Sequence, residues 1–189
     1  MPAPLDPLNS TLLVIDVQEK LLAVMPDATG LVRDVGFLLD VANLLKVPAI
    51  ATEQYPQGLG PTHSELVRRL TADRPTKLSF SCCGAPGLLT ELKHLGRQNI
   101  VVAGMEAHVC VMQTVLDLLA EGLQVFVAVD GVQSRFPIDQ ETALRRIDKA
   151  GAILTTCEAT AFEWLGGSDH PQFKPVSKLV QERMRQLKR

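Results

Sequence analysis

The sequence contains no run of about 18 consecutive apolar residues, so it offers no candidate membrane span. It has four cysteines, Cys82, Cys83, Cys110 and Cys157, and no C-x-x-C among them, which argues against a zinc ribbon or a thioredoxin-like redox pair. No G-x-G-x-x-G and no Walker A follows the first strand-like run. Val17-Gln18-Glu19-Lys20 stands there instead, which disfavours a nucleotide-binding α/β domain. Neither sign of charge dominates: 19 basic and 21 acidic residues give a net charge of -2, with no global attraction for nucleic acid or an anionic membrane. Met1-Pro2-Ala3-Pro4-Leu5-Asp6-Pro7 has neither the basic nor the apolar stretch of a signal peptide, so a cytoplasmic protein with reduced thiols is expected. Aromatics are few, with one Trp, one Tyr and six Phe, so an aromatic beside a site carries weight.

What is present is enough for one large core. The 189 residues are 46% hydrophobic, and no repeat, low-complexity tract or linker-like shift divides them, so a single domain over 1–189 is expected. Thr11-Leu12-Leu13-Val14-Ile15-Asp16 is apolar without alternation, as in a strand buried on both faces. Further strands are expected at Pro48 to Thr52, Pro75 to Leu78, Asn99 to Gly104, Gln124 to Val129 and Gly151 to Leu154. Between them, Leu31, Val35, Leu38, Leu39, Ala42 and Leu45 recur at helical spacing. Thr62 with Glu65 reads as a capping box. Further helices are expected over Gly84 to Leu95, with a loose start, over Val109 to Glu121 and over Asp139 to Ala150, and two helical stretches close the chain. The last of these aligns Val176, Leu179, Val180, Arg183 and Leu187 on one face; its basic remainder reads as a solvated surface. Alternating strands and helices imply an α/β fold: a doubly wound, mostly parallel six-stranded sheet with helices on both faces.

In such folds ligands sit beyond the carboxyl ends of the strands, near the switch point. Asp16 ends the first strand; a local cap and a functional carboxylate both fit it. Cys110 lies just beyond the fourth strand, in the first turn of a helix. That start favours a thiolate, while an inert buried cysteine is the plain counterpart. Lys77, near the end of the third strand, fits a snorkelling surface lysine or the counter-charge of a thiolate. Glu106 and His108 lie between strand and helix, and either fits a general base. Nearness in sequence does not make His108 and Cys110 a dyad. Cys82 and Cys83 read as small buried hydrophobes, with a redox pair as the other possibility.

Three segments resemble the isochorismatase-like cysteine hydrolases: Asp16-Val17-Gln18 as D-x-Q, Lys77-Leu78-Ser79-Phe80 as K-x-x-F, and Gly104-Met105-Glu106-Ala107-His108-Val109-Cys110-Val111 as G-x-E-x-H-x-C-V. Order and spacing agree over roughly residues 11 to 165, and the third segment is the specific one. Thr52-Glu53-Gln54-Tyr55-Pro56-Gln57-Gly58-Leu59-Gly60 resembles the isochorismatase-domain-containing subgroup. The resemblance implies an Asp16, Lys77, Cys110 triad that hydrolyses a small amide-type C–N bond through a thioester. It also implies a cis peptide at Met105-Glu106 and an oxyanion hole from the backbone N–H groups of Glu106 and Cys110. The Asp and His metal cluster of nicotinamidases has no counterpart, since His63, His94, His108 and His170 are scattered; no metal and no cofactor are expected. True isochorismatases lack the nucleophilic cysteine, and Cys110 is present. Gln18 and His108 are expected to contact substrate; Tyr55 and Phe80 fit pocket walls and plain core equally. The implied partners are a small-molecule substrate and further copies of the chain, a dimer or larger, with the C-terminal helix as a candidate contact. A catalytically idle scaffold of the same fold is the other reading.

Overall fold

A computed structural model describes residues 5–70 and 74–187. The first residues of the segment examined for an export signal, Met1 to Pro4, lie outside the described residues. The strands are β1 (Ser10–Ile15), β2 (Ala49–Gln54), β3 (Thr76–Lys77), β4 (Asn99–Met105), β5 (Gln124–Gln133) and β6 (Ile153–Thr155). All pair in parallel, in the order β3-β2-β1-β4-β5-β6. The chain winds outward from β1 to β3, then restarts at β4 on the other side of β1. The switch point therefore lies between β1 and β4, where such sheets open a crevice.

Helices cover both faces. In chain order they are α1 (Glu19–Leu22), α2 (Ala28–Leu45), α3 (Pro56–Leu59), α4 (Ser64–Val67), α5 (Leu88–Leu95), α6 (Met112–Ala120), α7 (Pro137–Lys149), α8 (Cys157–Leu165) and α9 (Phe173–Leu187). The apolar run of β1 does not alternate in polarity because each face has its own core. Leu12 and Val14 pack with α2, α8 and Val176 of α9. Leu13 and Ile15 pack with Leu88 and Leu92 of α5, Val115 and Leu118 of α6, and Ile147 of α7. β4 and β5 divide in the same way, so the central strands read as continuous hydrophobic runs. None of the helices, over the described residues, is long and apolar enough to cross a membrane.

Local departures from the sequence expectations have physical causes. Thr62 does not cap α4. Its N–H and hydroxyl both donate to Glu53 Oε1, at 2.9 and 2.8 Å, because that buried carboxylate needs donors. His63 is the cap, its Nδ1 accepting from the Glu65 N–H. The loose start expected of the helix from Gly84 to Leu95 is a separate turn. A 3₁₀ turn spans Cys82–Gly84, Pro86 supplies no N–H, and Gly87 turns left-handed at φ 83° before α5 starts at Leu88. β5 continues past Val129 to Gln133. On α9, Val176 and Arg183 are buried within the chain while Leu187 is exposed, so much of the face offered above as an oligomer contact is already used. Arg183 meets Asp34 of α2 at 2.8 Å and Asp130 of β5 at 2.7 Å.

β1 and β4 approach closely at one residue. A Cβ added to Gly104, which has φ 126°, would lie 2.1 Å from the Ile15 carbonyl oxygen. Only glycine fits at this place, one residue from where the two strands deliver Asp16 and the turn before Cys110.

Candidate active site

Asp16 leaves β1 in the left-handed region, φ 52°, a conformation an aspartate tolerates better than most residues. Its side chain is wholly buried. Oδ2 takes a hydrogen bond from Lys77 Nζ at 2.6 Å, and Oδ1 takes one from the Thr52 hydroxyl at 2.8 Å. Lys77 is no snorkelling surface residue: its side chain is also fully buried at the end of β3. Its ammonium faces Asp16, Gln54 Oε1 at 2.8 Å, and the carbonyls of Phe80 and Ser79 at 2.9 and 3.3 Å. A buried cation surrounded by acceptors on this scale stays charged. Burial opposes that charge, yet Cys82, Asp16 and Cys110 together hold the Lys77 pKa above its ordinary value.

Cys110 does not sit in an α-helical first turn. Residues Ala107–Val111 form a π-helical turn ahead of α6, in which the N–H groups of Val109 and Val111 both donate to the Glu106 carbonyl. Burial pushes the Cys110 thiol up strongly, and the Asp16 charge pushes it further. Lys77 pulls the other way, and a hydrogen bond to Asp16 adds to the rise. Burial and the Asp16 charge thus act against the thiolate that a helix start and Lys77 would favour.

A second thiol belongs to the same cluster. Cys82 Sγ lies 3.3 Å from Thr52 Oγ1, and burial, followed by the Asp16 charge, pushes it up to about 12. The Cys82 N–H donates to Thr114 Oγ1, which donates to the Cys110 carbonyl. Cys83 is only half-buried, so the adjacent pair has divided environments.

The expected substrate contacts separate into inner and outer residues. Gln18 is fully buried and already committed. Its amide donates to the Gln54 and Gly60 carbonyls and accepts from the Gln54 N–H, fastening the ends of β1 and β2, so it is not free to contact substrate in this structure. Tyr55 and Phe80 are about half-exposed, not core. Tyr55 lines a hollow of about 510 Å³ with Lys77, Ser79 and Gly84. His108 turns its Nδ1 to the Ser134 hydroxyl at 3.0 Å and its Nε2 towards Asp139 at 3.9 Å. Glu106 follows a cis Met105-Glu106 peptide, and its carboxylate takes Arg135 Nε at 2.9 Å. Sequence reasoning passed over Thr52 and Gln54 as parts of this site, although their i, i+2 spacing on a strand puts both on one face.

The described residues therefore assemble an isochorismatase-like hydrolase fold, with a thiol, a carboxylate and an ammonium at its switch point. The Isochorismatase domain family model matches residues 10–159, and the chain belongs to that family. Isochorismatase domain-containing protein 2 of Homo sapiens is 41% identical over 178 residues, covering 93% of this chain and 85% of the relative. Among solved structures, that of MAR1 ribonuclease from Caenorhabditis elegans is 45% identical with a TM-score of 0.89, covering 95% of this chain and 93% of that one. The YcaC gene product of Escherichia coli, described as an octameric hydrolase of unknown specificity, is 25% identical with a TM-score of 0.85, covering 100% of this chain and 97% of its own.

Proposed function

We propose that this protein hydrolyses a small amide-type C–N bond through a thioester on Cys110, with Asp16 as proton acceptor and Lys77 as the fixed counter-charge. The observation that carries this reading is the fully buried Asp16–Lys77 pair at 2.6 Å, whose charges both act on the buried Cys110 thiol. A carboxylate so placed takes the thiol proton as Sγ bonds to the substrate carbonyl carbon. The oxyanion that forms is met by the N–H groups of Glu106 and Cys110. Collapse expels the amine, which leaves with the proton from Asp16, and the acyl group stays on sulfur. Asp16 then takes a proton from water as it attacks the thioester; the C–S bond breaks, the carboxylic acid leaves, and the proton on Asp16 passes to the departing sulfur, which restores the thiol and closes the cycle. Tyr55, Phe80 and His108 form the outer substrate contacts.

Further copies of the chain are its proposed macromolecular partners. The octameric Escherichia coli relative supports this, as do Leu78, Phe80, Phe136 and Ile138, each more than half exposed.

The test is a panel of small primary amides and N-carbamoyl compounds, with an RNA oligonucleotide alongside because of the worm relative's name. Amine release and the intact mass of the protein are followed together. The expected result is release by the native protein with an acyl adduct on Cys110, and neither in Cys110→Ala. If no compound is turned over faster than by Cys110→Ala, the hydrolase reading falls and an idle scaffold of this fold replaces it; cleavage of the RNA alone would equally overturn the amide reading.

A further inference from the structure

The triad leaves part of the buried cluster unexplained. Thr52, Gln54 and Cys82 have no place in the reaction, yet all three touch it or its partners.

Their arrangement follows from sheet register. In the β1–β2 ladder Thr52 stands opposite Ile15, the residue before Asp16. In the β2–β3 ladder Gln54 stands opposite Lys77 itself. Residues two apart on a strand point the same way, so one face of β2 presents a hydroxyl to Asp16 and an amide oxygen to Lys77. The intervening Glu53 instead holds Thr62 and Arg74.

The direction of the protons is fixed by chemistry. An ionised carboxylate only accepts, so the Thr52 hydroxyl spends its hydrogen on Asp16 Oδ1. What remains at Thr52 Oγ1 is a lone pair, and the Cys82 S–H at 3.3 Å supplies the donor. The order is Cys82 S–H to Thr52 O–H to Asp16, with Lys77 closing the other carboxylate oxygen.

We infer that Thr52 is a positioning residue: its hydroxyl, oriented by Cys82, fixes the rotation of the Asp16 carboxylate and moderates its hold on the Cys110 proton. Gln54 does the corresponding work for Lys77. This inference rests on the triad reading proposed above. It extends that reading to a residue that need touch neither substrate nor the reacting sulfur.

The experiment reads Cys110 directly and needs no substrate. Iodoacetamide alkylation of Cys110 is followed by peptide mass spectrometry across pH in the native protein, Asp16→Asn, Thr52→Val and Thr52→Ser, with urea unfolding of each as a check on folding. The groups bearing on Cys110 are Asp16, Lys77 and Cys82. The native midpoint is expected above the ordinary thiol value of about 8.5. Asp16→Asn lowers it by removing the charge that holds the proton. Thr52→Val strips Oδ1 of its donor, concentrates charge on that oxygen, and raises the midpoint by less than Asp16→Asn lowers it. Thr52→Ser keeps the hydroxyl and restores the native profile. A change in stability alone would not move a midpoint in opposite senses. If Asp16→Asn shifts the profile but Thr52→Val does not, or if Thr52→Ser behaves like Thr52→Val, the positioning role is overturned and the triad stands. If Asp16→Asn leaves the profile unchanged, the triad reading is overturned and the role of Thr52 with it.

Discussion

Lys77 Nζ and Asp16 Oδ2 stand 2.6 Å apart, and neither side chain reaches solvent. One comes from the end of a two-residue edge strand and the other from the end of a central strand, with β2 between them. Such a pair holds position well, and each charge compensates the other in a place closed to water.

Breaking the pair by removing one member leaves an uncompensated buried charge, at a cost of about 3–5 kcal/mol. Asp16→Asn and Lys77→Met are each expected to lose that much in urea unfolding. The double variant should lose clearly less than the two losses added together. Strict additivity would show that the two groups are not coupled.

Stability should fall in alkaline solution. Cys82 is pushed up to about 12 and Cys83 to about 11 in the folded chain, against about 8.5 for an unfolded thiol. Between those values the folded state keeps protons that the unfolded state has released. Their stabilising contribution is complete below about pH 8.5 and is lost as the pH rises towards the folded values. Thermal unfolding between pH 8 and 11 should show a falling Tm, with a shallower slope in Cys82→Ala. A Tm flat over that range in the native protein would contradict the buried neutral thiols.

Gly104→Ala should be among the more damaging single-methyl additions to the chain. The new Cβ would lie 2.1 Å from the Ile15 carbonyl oxygen, on a backbone with φ 126°. Overpacking costs roughly 1–3 kcal/mol where side chains can shift, and here the obstacle is main chain. A loss at or above that range is expected, with reduced Cys110 reactivity because β1 and β4 are forced apart. A variant as stable as the native protein would show that the close approach is not required.

The sheet was legible because its signals are local. Non-alternating runs such as Thr11 to Asp16 and Asn99 to Gly104 mark strands buried on both faces, and the order of elements carries the winding rule. Asp16, Lys77 and Cys110 could be singled out because strand ends are where such folds place ligands. What the sequence did not disclose depends on three-dimensional contact. A helix start suggested a thiolate at Cys110, and burial near Asp16, which opposes it, is visible only in three dimensions. Gln18 looked free because nothing in its neighbours reveals that Gln54 and Gly60 occupy its amide. Thr52 looked like the end of an ordinary strand until register set it beside Asp16. The capping box at Thr62 failed for the same reason, since Glu53 of β2 competes for that hydroxyl.

Arg183 sets a schedule for the nascent chain. Of its acidic partners, Asp34 lies 149 residues earlier and Asp130 lies 53 residues earlier. At synthesis rates of roughly 5–20 residues per second, Asp34 waits about 7–30 s for this cation to be made. In the folded chain Asp34 also has its neighbour Arg33, and Asp130 also takes the Cys157 N–H. The charge match across α2 and β5 is therefore a long-range one, which cannot be complete until residue 183 has been made.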